Sequence, residues 1–433
     1  MRSLAALTLT IALLSAGCGR KHVPPGSLKA AEISFEYAIF YLPTPTHDPQ
    51  SLVERMVRER FPVLRVTPRM EKDVRANYAP PDAHALTFFA RGLSEQQKLS
   101  LQASREALVL DFVHPQKDVW RALRQATQLT AEVARATGGL IWDEESREVF
   151  TPDAWVEQRL SRWTEEMPEL SDHITIHNYK DGDYVRAVSL GMSKFGLPDL
   201  VVNGFAWSLE RTVGHTMNML AQLLAEGAMV GDNGRLDLDI RKIRNAAVRE
   251  PQVTTLGKNA TGIARLVLLE GKHEEGDADN RLVEIAFDEY AGRDVHARQD
   301  RMLSELFGSE DHTSYVDHSE KVLEASRAAR GHLPELRSSF NAGLPPGEYI
   351  LLKAPFKTDD GGNEWMWVEV TRWNGDTIEG LLRNDPDKVS TLQAGQIVTA
   401  KESEIFDYIV RHADGSSEGN TTGAILQEEE QST

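Results

Sequence analysis

The sequence predicts an α+β protein with more than one domain. Its 433 residues exceed the usual length of a single domain, and length alone indicates two or three. Hydrophobic residues make up 41% and charged residues 26%, which is typical of soluble globular proteins and excludes a disordered chain, a fibrous repeat and a multi-span membrane protein. Strand-like apolar runs are interspersed with segments of helical spacing along the chain, and this mixture indicates the α+β class.

The first predicted domain covers residues 31–230 and begins with a β-α-β-β-α-β order. Ser94 and Gln97 stand three apart, as in a capping box, and predict the start of the second helix of this order. The order resembles a split β-α-β, ferredoxin-like arrangement, so we expect an α/β sandwich-type domain. The predicted strands are residues 33–42, 63–66, 84–91 and 107–113, and the predicted first helix is 48–60.

Two Gly-rich stretches divide the rest of the chain. The sequence GAMVGDNG at 227–234 predicts the end of the first domain, and GLPPG at 343–347 predicts a second boundary. Residues 231–343 are predicted as a middle α+β segment. Residues 344–426 are rich in strand patterns and contain the hairpin signal Asn374-Gly375, so we expect a small barrel-like domain, followed by an acidic tail over 427–433.

The charge of the chain excludes one class of partner. Forty-eight basic and 66 acidic residues give a formal net charge of −18. Binding to a phosphate backbone needs a basic surface, so we expect no nucleic-acid partner.

The N-terminus has the pattern of a secretion signal. Arg2 is followed by an uncharged apolar run and by small residues before Cys18, and the run is too short to span a bilayer. The stretch LSAGC at 14–18 resembles the lipobox of bacterial lipoproteins, although Ser15 stands where leucine is usual. The resemblance implies a signal peptide over 1–17, lipidation of Cys18 and a short tether over 18–30.

This resemblance determines the expected location. Several acyl chains on Cys18 would hold the protein at a membrane, since each buried CH₂ contributes about 0.8 kcal/mol. Gly19 after the cysteine implies the outer membrane of a Gram-negative cell, facing the periplasm or the cell surface. Cys18 is the only cysteine, so the mature domains have no disulfide, cysteine nucleophile or cysteine metal site.

The C-terminal block resembles the YegJ-like family, a set of bacterial domains without an established function. The similarity is carried by LKAPF at 352–356, EWMWV at 364–368, IEG at 378–380, NDP at 384–386, GQIV at 395–398 and IFDY at 405–408. One departure is Tyr408, where the family more often has tryptophan. The resemblance implies no reaction, cofactor or catalytic residue.

No motif specifies a catalytic or metal site, so we predict neither a catalytic residue, a metal nor a cofactor. His173 and His177 are four residues apart, but the alternation of the isoleucines between them favours a strand with both histidines on a solvated face. His312 and His318 are interpreted as surface loop and helix-cap residues.

The most informative surface candidates are aromatic. Along 365–373, Met366, Val368 and Val370 alternate with Trp365, Trp367 and Trp373, so the tryptophans are predicted on the opposite face. That face needs either a covering helix, which we favour, or a ligand. The candidate binding residues are Trp365, Trp367, Trp373, Asn384, Asp407 and Tyr408.

Three functional hypotheses follow. The first is a non-enzymatic, lipid-anchored cell-envelope protein that binds or scaffolds an envelope protein or glycan. The second is an envelope hydrolase with a dispersed site, which a buried acidic or histidine side chain of perturbed pKa in a sizeable cleft would favour. The third is an immunity- or stress-type protein that binds its partner through an acidic face.

Overall fold

A computed structural model describes residues 20–42, 45, 47–90, 92–164, 166–308 and 319–431. These residues form three sheets with helices packed against them, which confirms the predicted α+β class. The predicted signal peptide and Cys18 lie outside the described residues, as do His312 and His318. No helix within the described ranges is both long and apolar enough to cross a membrane.

The first sheet has the predicted split β-α-β topology. In chain order its elements are β1 Glu32–Tyr41, α1 Pro49–Arg60, β2 Val66–Glu71, α2 Val74–Asn77, α3 Ala83–Phe89, α4 Glu95–Gln102, β3 Glu106–Pro115, α5 Val119–Thr137, β4 Leu140–Asp143 and β5 Glu148–Phe150. The strand order is β2-β3-β1-β4-β5, and every neighbouring pair is antiparallel. Apart from β5 and the short helices between β2 and β3, this is the ferredoxin-like order.

The strand predicted at 84–91 is wrong, because this segment forms α3. Asp82 caps the helix by accepting from Ala85 N at 2.8 Å, and within the helix only Leu86 is buried. A short apolar run fits a strand and a helix equally well by periodicity, and here the cap decides. The third and fourth strands of the topology are therefore β3 and β4. The predicted capping box of Ser94 and Gln97 is present at the start of α4.

Helix α5, the longest helix among the elements of the first sheet, packs an apolar stripe onto that sheet. Its buried residues recur at steps of three and four, and Gly138 ends the helix at a φ of 72°. A positive φ is open to glycine at little cost, which explains why the helix stops there.

The second sheet has six strands. After the short helix α6 Pro152–Val156, the elements are β6 Thr175–Asp181, β7 Tyr184–Leu190, β8 Asp199–Phe205, α7 Glu210–Ala225, β9 Arg235–Asp239, α8 Ala246–Thr254, β10 Ile263–Glu270, β11 Leu282–Ala286 and α9 Val295–Phe307. The strand order is β6-β7-β8-β11-β10-β9, with a parallel pair at β8 and β11 and antiparallel pairs elsewhere.

This sheet crosses the boundary predicted at residue 230. Because β8 pairs with β11, strands from both sides of that residue belong to one sheet. Leu238 and Ile285 also share a hydrophobic core with Val202, and the same core continues to the first sheet. Local Gly-rich composition predicted a boundary here, whereas long-range strand pairing joins the two segments.

The predicted tether is packed against the second sheet from residue 22 onward. His22 bridges to Leu269, Val23 N donates to Leu268 O at 3.0 Å, and Gly26 exchanges hydrogen bonds with Val230. Val23 and Leu28 are buried in the shared core. We call residues 22–30 the N-terminal strap.

The C-terminal domain is an open six-stranded sheet with two helices that contact each other, one before the sheet and one after it in the chain. Its elements are α10 Glu320–Ala342, β12 Tyr349–Lys357, β13 Asn363–Asn374, β14 Thr377–Leu382, β15 Ile397–Lys401, β16 Asp407–Arg411, β17 Ser417–Gly419 and α11 Thr421–Gln431. The order is β15-β14-β13-β12-β16-β17, antiparallel throughout. The described strands do not close into the expected barrel. Residues 427–431 of the predicted acidic tail continue α11.

Helix α10 belongs to this domain although it precedes the boundary predicted at 344. Leu333 and Leu336 pack in one core with Ile350 and Leu352 of β12. The domain contacts helix α9 through Arg383 and Asp300 at 3.0 Å, and Leu381 of β14 packs in the core that the first two sheets share. It therefore adds a third wall where the first two sheets meet.

Candidate functional site

A cavity of about 560 Å³ lies where the three sheets meet, and we call it the junction cavity. Its volume is in the range of roughly 300–1,000 Å³ that is usual for ligand pockets. Its lining residues are Phe88, Phe89, Gly92, Leu93, Glu148, Val149, Phe150, Ala154, Gln158, Thr175, Ile176, His177, Asn178, Trp207, Glu210, Pro346, Gly347 and Ala413.

The junction cavity runs along the outer edges of two strands, and neither edge pairs with another strand in the part of the chain that the structure describes. β5 is the last strand of the first sheet and β6 is the last strand of the second. Consecutive residues of each strand, 148–150 and 175–178, line the cavity. Side chains of a strand alternate between its two faces, so a cavity that meets successive residues lies beside the strand rather than over one face.

The peptide groups of β6 that face this edge can be assigned from its hairpin with β7. Asp181 pairs with Tyr184 across the two-residue turn, and the pair that flanks such a turn exchanges both ladder hydrogen bonds. Along an antiparallel ladder, such pairs alternate with pairs that exchange no hydrogen bonds. Ile176, Asn178 and Lys180 belong to pairs of the second kind, so their peptide groups point away from β7. Two of these three, Ile176 and Asn178, line the junction cavity.

Aromatic side chains of α3 cover one side of β6. The His177 ring lies 5.9 Å from that of Phe88 and 5.3 Å from that of Phe89, and Tyr179 is 5.6 Å away on the same strand. Burial by these rings lowers the pKa of His177, and the nearby charge of Arg147 lowers it further. The imidazole is therefore neutral at pH 7.

His173 was predicted to share a solvated face with His177, and this prediction is wrong. His173 is 1% exposed and precedes β6, in contact with Trp163 at 5.4 Å between ring centroids. Burial, together with the charges of Arg159 and Lys194, holds the pKa of His173 well below its ordinary value. The strand begins two residues later than the alternation indicates, so the two histidines do not form one face.

Polar groups line the cavity along β6 and the first turn of α7. Asn178 Nδ2 donates to Glu210 Oε1 at 2.9 Å. Thr175 Oγ1 and Asn178 Oδ1 are buried without a hydrogen-bond partner. Buried polar atoms without partners are uncommon in proteins, and both belong to residues of the cavity wall.

A buried ion network supports the wall on the β5 side. Arg159 lies in the π-helical turn Glu157–Ser161 that follows α6. Its guanidinium donates to Asp143 Oδ2 at 3.0 Å, Ser146 Oγ at 3.0 Å and Glu148 Oε2 at 2.7 Å. Because Glu148 lines the cavity, the network fixes a carboxylate at its wall.

Asp143 has two buried cationic partners in this network. Lys194 Nζ donates to Asp143 Oδ2 at 2.5 Å, and the side chains of both residues are at most 1% exposed. Burial alone would raise the pKa of Asp143, but the charges of Lys194 and Arg159 hold it below its ordinary value. The carboxylate is ionised at pH 7 and joins β4 to the turn before β8.

Asp199 is a second buried carboxylate, and it has only neutral donors. Ser189 Oγ donates to Oδ1 at 2.9 Å and Asn280 Nδ2 donates to Oδ2 at 2.7 Å. Burial raises the pKa of Asp199 to about 7, against the opposing effect of these hydrogen bonds. It lies at the start of β8 and does not line the junction cavity.

The six binding residues predicted in the C-terminal domain all have contacts within that domain. The Trp365 ring lies 4.5 Å from Phe406, and Lys353 Nζ lies 5.6 Å from the centre of the Trp367 ring. Asn384 Oδ1 accepts from Trp367 N at 2.6 Å, and the Tyr408 ring is 5.7 Å from His332. Asp407 Oδ2 accepts from Thr422 N at 2.9 Å and from Thr422 Oγ1 at 2.6 Å.

Trp373 lies on the face opposite to the one predicted. The ladder between β13 and β14 shifts by one residue between Val370 and Arg372. A bulge inserts one residue and reverses the facing of those that follow, so Trp373 joins Met366 and Val368 in the core and is 1% exposed. Strict alternation cannot predict this reversal.

The residues of the junction cavity were not predicted as a site. They come from segments far apart in the sequence, and no motif connects them. One signal in the sequence could have indicated this site. β6 carries Thr, His and Asn between apolar positions, and such polar residues are unusual in a buried central strand. None of the described residues form a cluster of three or more His, Cys, Asp or Glu suited to a metal ion.

The C-terminal domain is similar to bacterial domains that are described as uncharacterised. Residues 321–431 match the profile of a family described as "Uncharacterized protein conserved in bacteria (DUF2314)". The matched segment extends from α10 to α11 and thus coincides with the structural domain. No curated protein and no solved structure matches the chain. The narrower YegJ-like assignment stays a prediction.

Proposed function

We propose that this protein is a lipid-anchored cell-envelope protein that binds a partner in the junction cavity without changing it chemically. The anchoring part rests on the lipobox-like sequence before Cys18. The binding part rests on one observation, a cavity of about 560 Å³ bordered by two strand edges that pair with no further strand of the described residues. Such edges carry unused donors and acceptors that a partner can satisfy.

The surroundings of the cavity favour binding. Its two carboxylates are held in place, Glu148 by Arg159 at 2.7 Å and Glu210 by Asn178 at 2.9 Å. Groups that are fixed before the partner arrives lose little conformational entropy on binding, which increases affinity. Phe88 and Trp207 add aromatic surface next to these polar groups, a combination common in binding sites.

A site-specific photo-crosslink tests the binding part. A photoreactive phenylalanine analogue in place of Phe88, which lines the cavity, should form a discrete adduct in intact cells. The same analogue at Leu99, which is 60% exposed and outside the cavity, is the control. A discrete adduct at Phe88 and none at Leu99 supports the proposal, whereas equal patterns at both positions contradict it.

Replacement of the cysteine tests the anchoring part. Cys18→Ala should release the folded protein into the soluble fraction, and globomycin should leave an unprocessed precursor of the unaltered chain. Ser15→Leu, which restores the usual residue of the lipobox, is the control and should remain in the membrane fraction. Retention of Cys18→Ala in the membrane contradicts a lipid anchor at this residue.

An envelope hydrolase is a second candidate because a histidine of lowered pKa lies in the cavity. Neutral His177 could act as a general base toward water, with Thr175 and Glu210 lining the same cavity. His177→Gln distinguishes the two functions. A hydrolase would lose turnover but keep its substrate bound, whereas a binding protein has no turnover to lose.

A further inference from the structure

We propose that the partner of the junction cavity is an extended polypeptide segment that adds as a strand to the free edge of β6 and places a lysine or arginine side chain at Glu210. This inference rests on the proposed binding function and specifies the chemistry of the partner. It follows from the backbone of β6, from the charges at the cavity and from the shape of its wall.

The backbone argument concerns hydrogen bonds that β6 does not make. The peptide groups of Ile176 and Asn178 point away from β7, and no other described strand pairs with this edge. The two outward sets of N–H and C=O are two residues apart, which corresponds to about 6.6–6.8 Å along the strand. An extended chain presents donors and acceptors at this same repeat, so it can satisfy both sets.

The charge argument concerns Glu210. Glu148 lines the cavity, but Arg159 of the buried ion network already neutralises its charge. Glu210 accepts only from the neutral amide of Asn178 among the hydrogen bonds found within the described ranges. A cationic side chain is the complement that Glu210 lacks, and the net charge of −18 attracts basic segments at long range.

The shape argument concerns the flanks of the edge. Phe88 and Phe89 lie on the α3 side of β6, and Trp207 lines the cavity just before α7. A strand placed against β6 points successive side chains to opposite faces, so its apolar residues can pack on these rings while the cationic residue reaches Glu210. A glycan could stack on the rings but has no repeating peptide N–H to pair with β6.

Designed peptides test the strand pairing directly. The probe is an acetylated and amidated pentapeptide of threonine and valine with a central lysine. Titration into the full chain in detergent should give a Kd of about 0.1–1 mM by calorimetry. Two isomers carry N-methyl groups on alternate residues, so that each lacks the amide donors of one edge. Only one edge of the bound peptide faces β6. We therefore expect the isomer that lacks the donors of this edge to bind at least about tenfold more weakly than the parent peptide, and the other isomer to bind almost as well as the parent.

Protein variants test the same contacts from the other side. Ile176→Pro removes an outward N–H inside the cavity, and the matched control Lys180→Pro removes an outward N–H beyond it. Glu210→Gln should weaken the lysine peptide about fivefold and leave a norleucine analogue unaffected. Glu404→Gln is its control, since Glu404 is exposed in the C-terminal domain. Glu210→Gln also keeps the test decisive if Ile176→Pro fails to fold.

The outcomes separate this inference from the proposed function. Weaker binding of one methylated isomer than of the other, together with weaker binding of the lysine peptide to Glu210→Gln, supports strand addition. Equal affinities of both isomers and the parent, or no binding of the parent at millimolar concentration, overturn it. If the Phe88 adduct still forms in cells in that case, the binding function stands and only the strand geometry is wrong. If the adduct is also absent, both fail.

Discussion

The junction cavity and the C-terminal sheet use the same kinds of side chain in different ways. In the C-terminal sheet, Trp373 is 1% exposed and its indole N–H donates to Glu402 at 2.8 Å, so both its ring and its polar atom are engaged inside the domain. At the junction, Trp207 and Glu210 line open volume, and β6 has unpaired peptide groups beside them. Aromatic and acidic residues therefore pack inside one region and line open volume in the other.

Buried charges show the same contrast. The junction stabilises its cavity wall with full ion pairs between Arg159, Lys194 and Asp143. The C-terminal domain uses Asp407 as a remote cap for α11, through neutral donors of Thr422. Buried ion pairs thus support the wall of the open cavity, where no side chains pack across the volume.

The largest expected effect is the loss of the buried cation at the junction. Arg159→Met leaves Asp143 and Glu148 without this partner and should lower the free energy of unfolding by about 3–5 kcal/mol, measured by urea denaturation. Arg135→Met is the control, because the Arg135–Asp153 pair is exposed and should contribute about 1 kcal/mol or less. Equal losses in the two variants would contradict the comparison.

A loss of similar size is expected in the C-terminal core. Trp373→Ala should destabilise the protein by about 3–5 kcal/mol through the cavity it leaves, with peptide binding at the junction unchanged under native conditions. Trp367→Ala, at a half-buried position, should cost much less. If Trp373→Ala removed peptide binding from protein that is still folded, the two regions would be coupled.

Asp199 gives a pH dependence of stability that is opposite in sign to that of Asp143, because its pKa is raised and that of Asp143 is lowered. Its folded pKa of about 7 lies above an unfolded value of about 3.9, so the folded state binds more protons and stability falls as pH rises between these values. From pH 5 to pH 7 this loss should be about 2 kcal/mol, and Asp199→Asn should remove it. Urea denaturation at both pH values measures it, with the exposed Asp153→Asn as control. An unchanged slope in Asp199→Asn would refute the assignment.

The smallest expected effect is at the cap of α11. Asp407→Asn keeps the shape of the side chain but loses the charge at the helix N-terminus, which should cost about 1 kcal/mol of unfolding free energy. Asp387→Asn, at an exposed position in the same domain, should cost less than about 0.5 kcal/mol. Thermal unfolding of both variants measures the difference, and identical melting temperatures would mean that the cap contributes nothing.

Local signals in the sequence predicted local structure. The capping box at Ser94 is confirmed, and the split β-α-β order is confirmed with reassigned strands. Most of the wrong predictions concern structure that is determined by contacts between residues far apart in the sequence. The bulge before Trp373 and the pairing of β8 with β11 have no reliable local pattern. The helix at Ala83–Phe89 is different, because its cap Asp82 is a local signal that the apolar run outweighed in the prediction. The junction cavity is lined by six separate segments of the chain, so alternation along any one of them cannot predict it.

The N-terminal strap sets how the body would stand at a membrane. Only three residues separate Cys18 from His22, whose backbone is already bridged to Leu269, and four fully extended residues reach about 14 Å. If Cys18 carries acyl chains, the second sheet would sit against the lipid headgroups without a flexible stalk. Lys21, paired with Glu270 at 2.5 Å, would then be close enough to the membrane to bind either that carboxylate or an anionic lipid headgroup. A rigidly oriented body would offer its cavity at one height above the bilayer, which limits the polypeptides able to reach it.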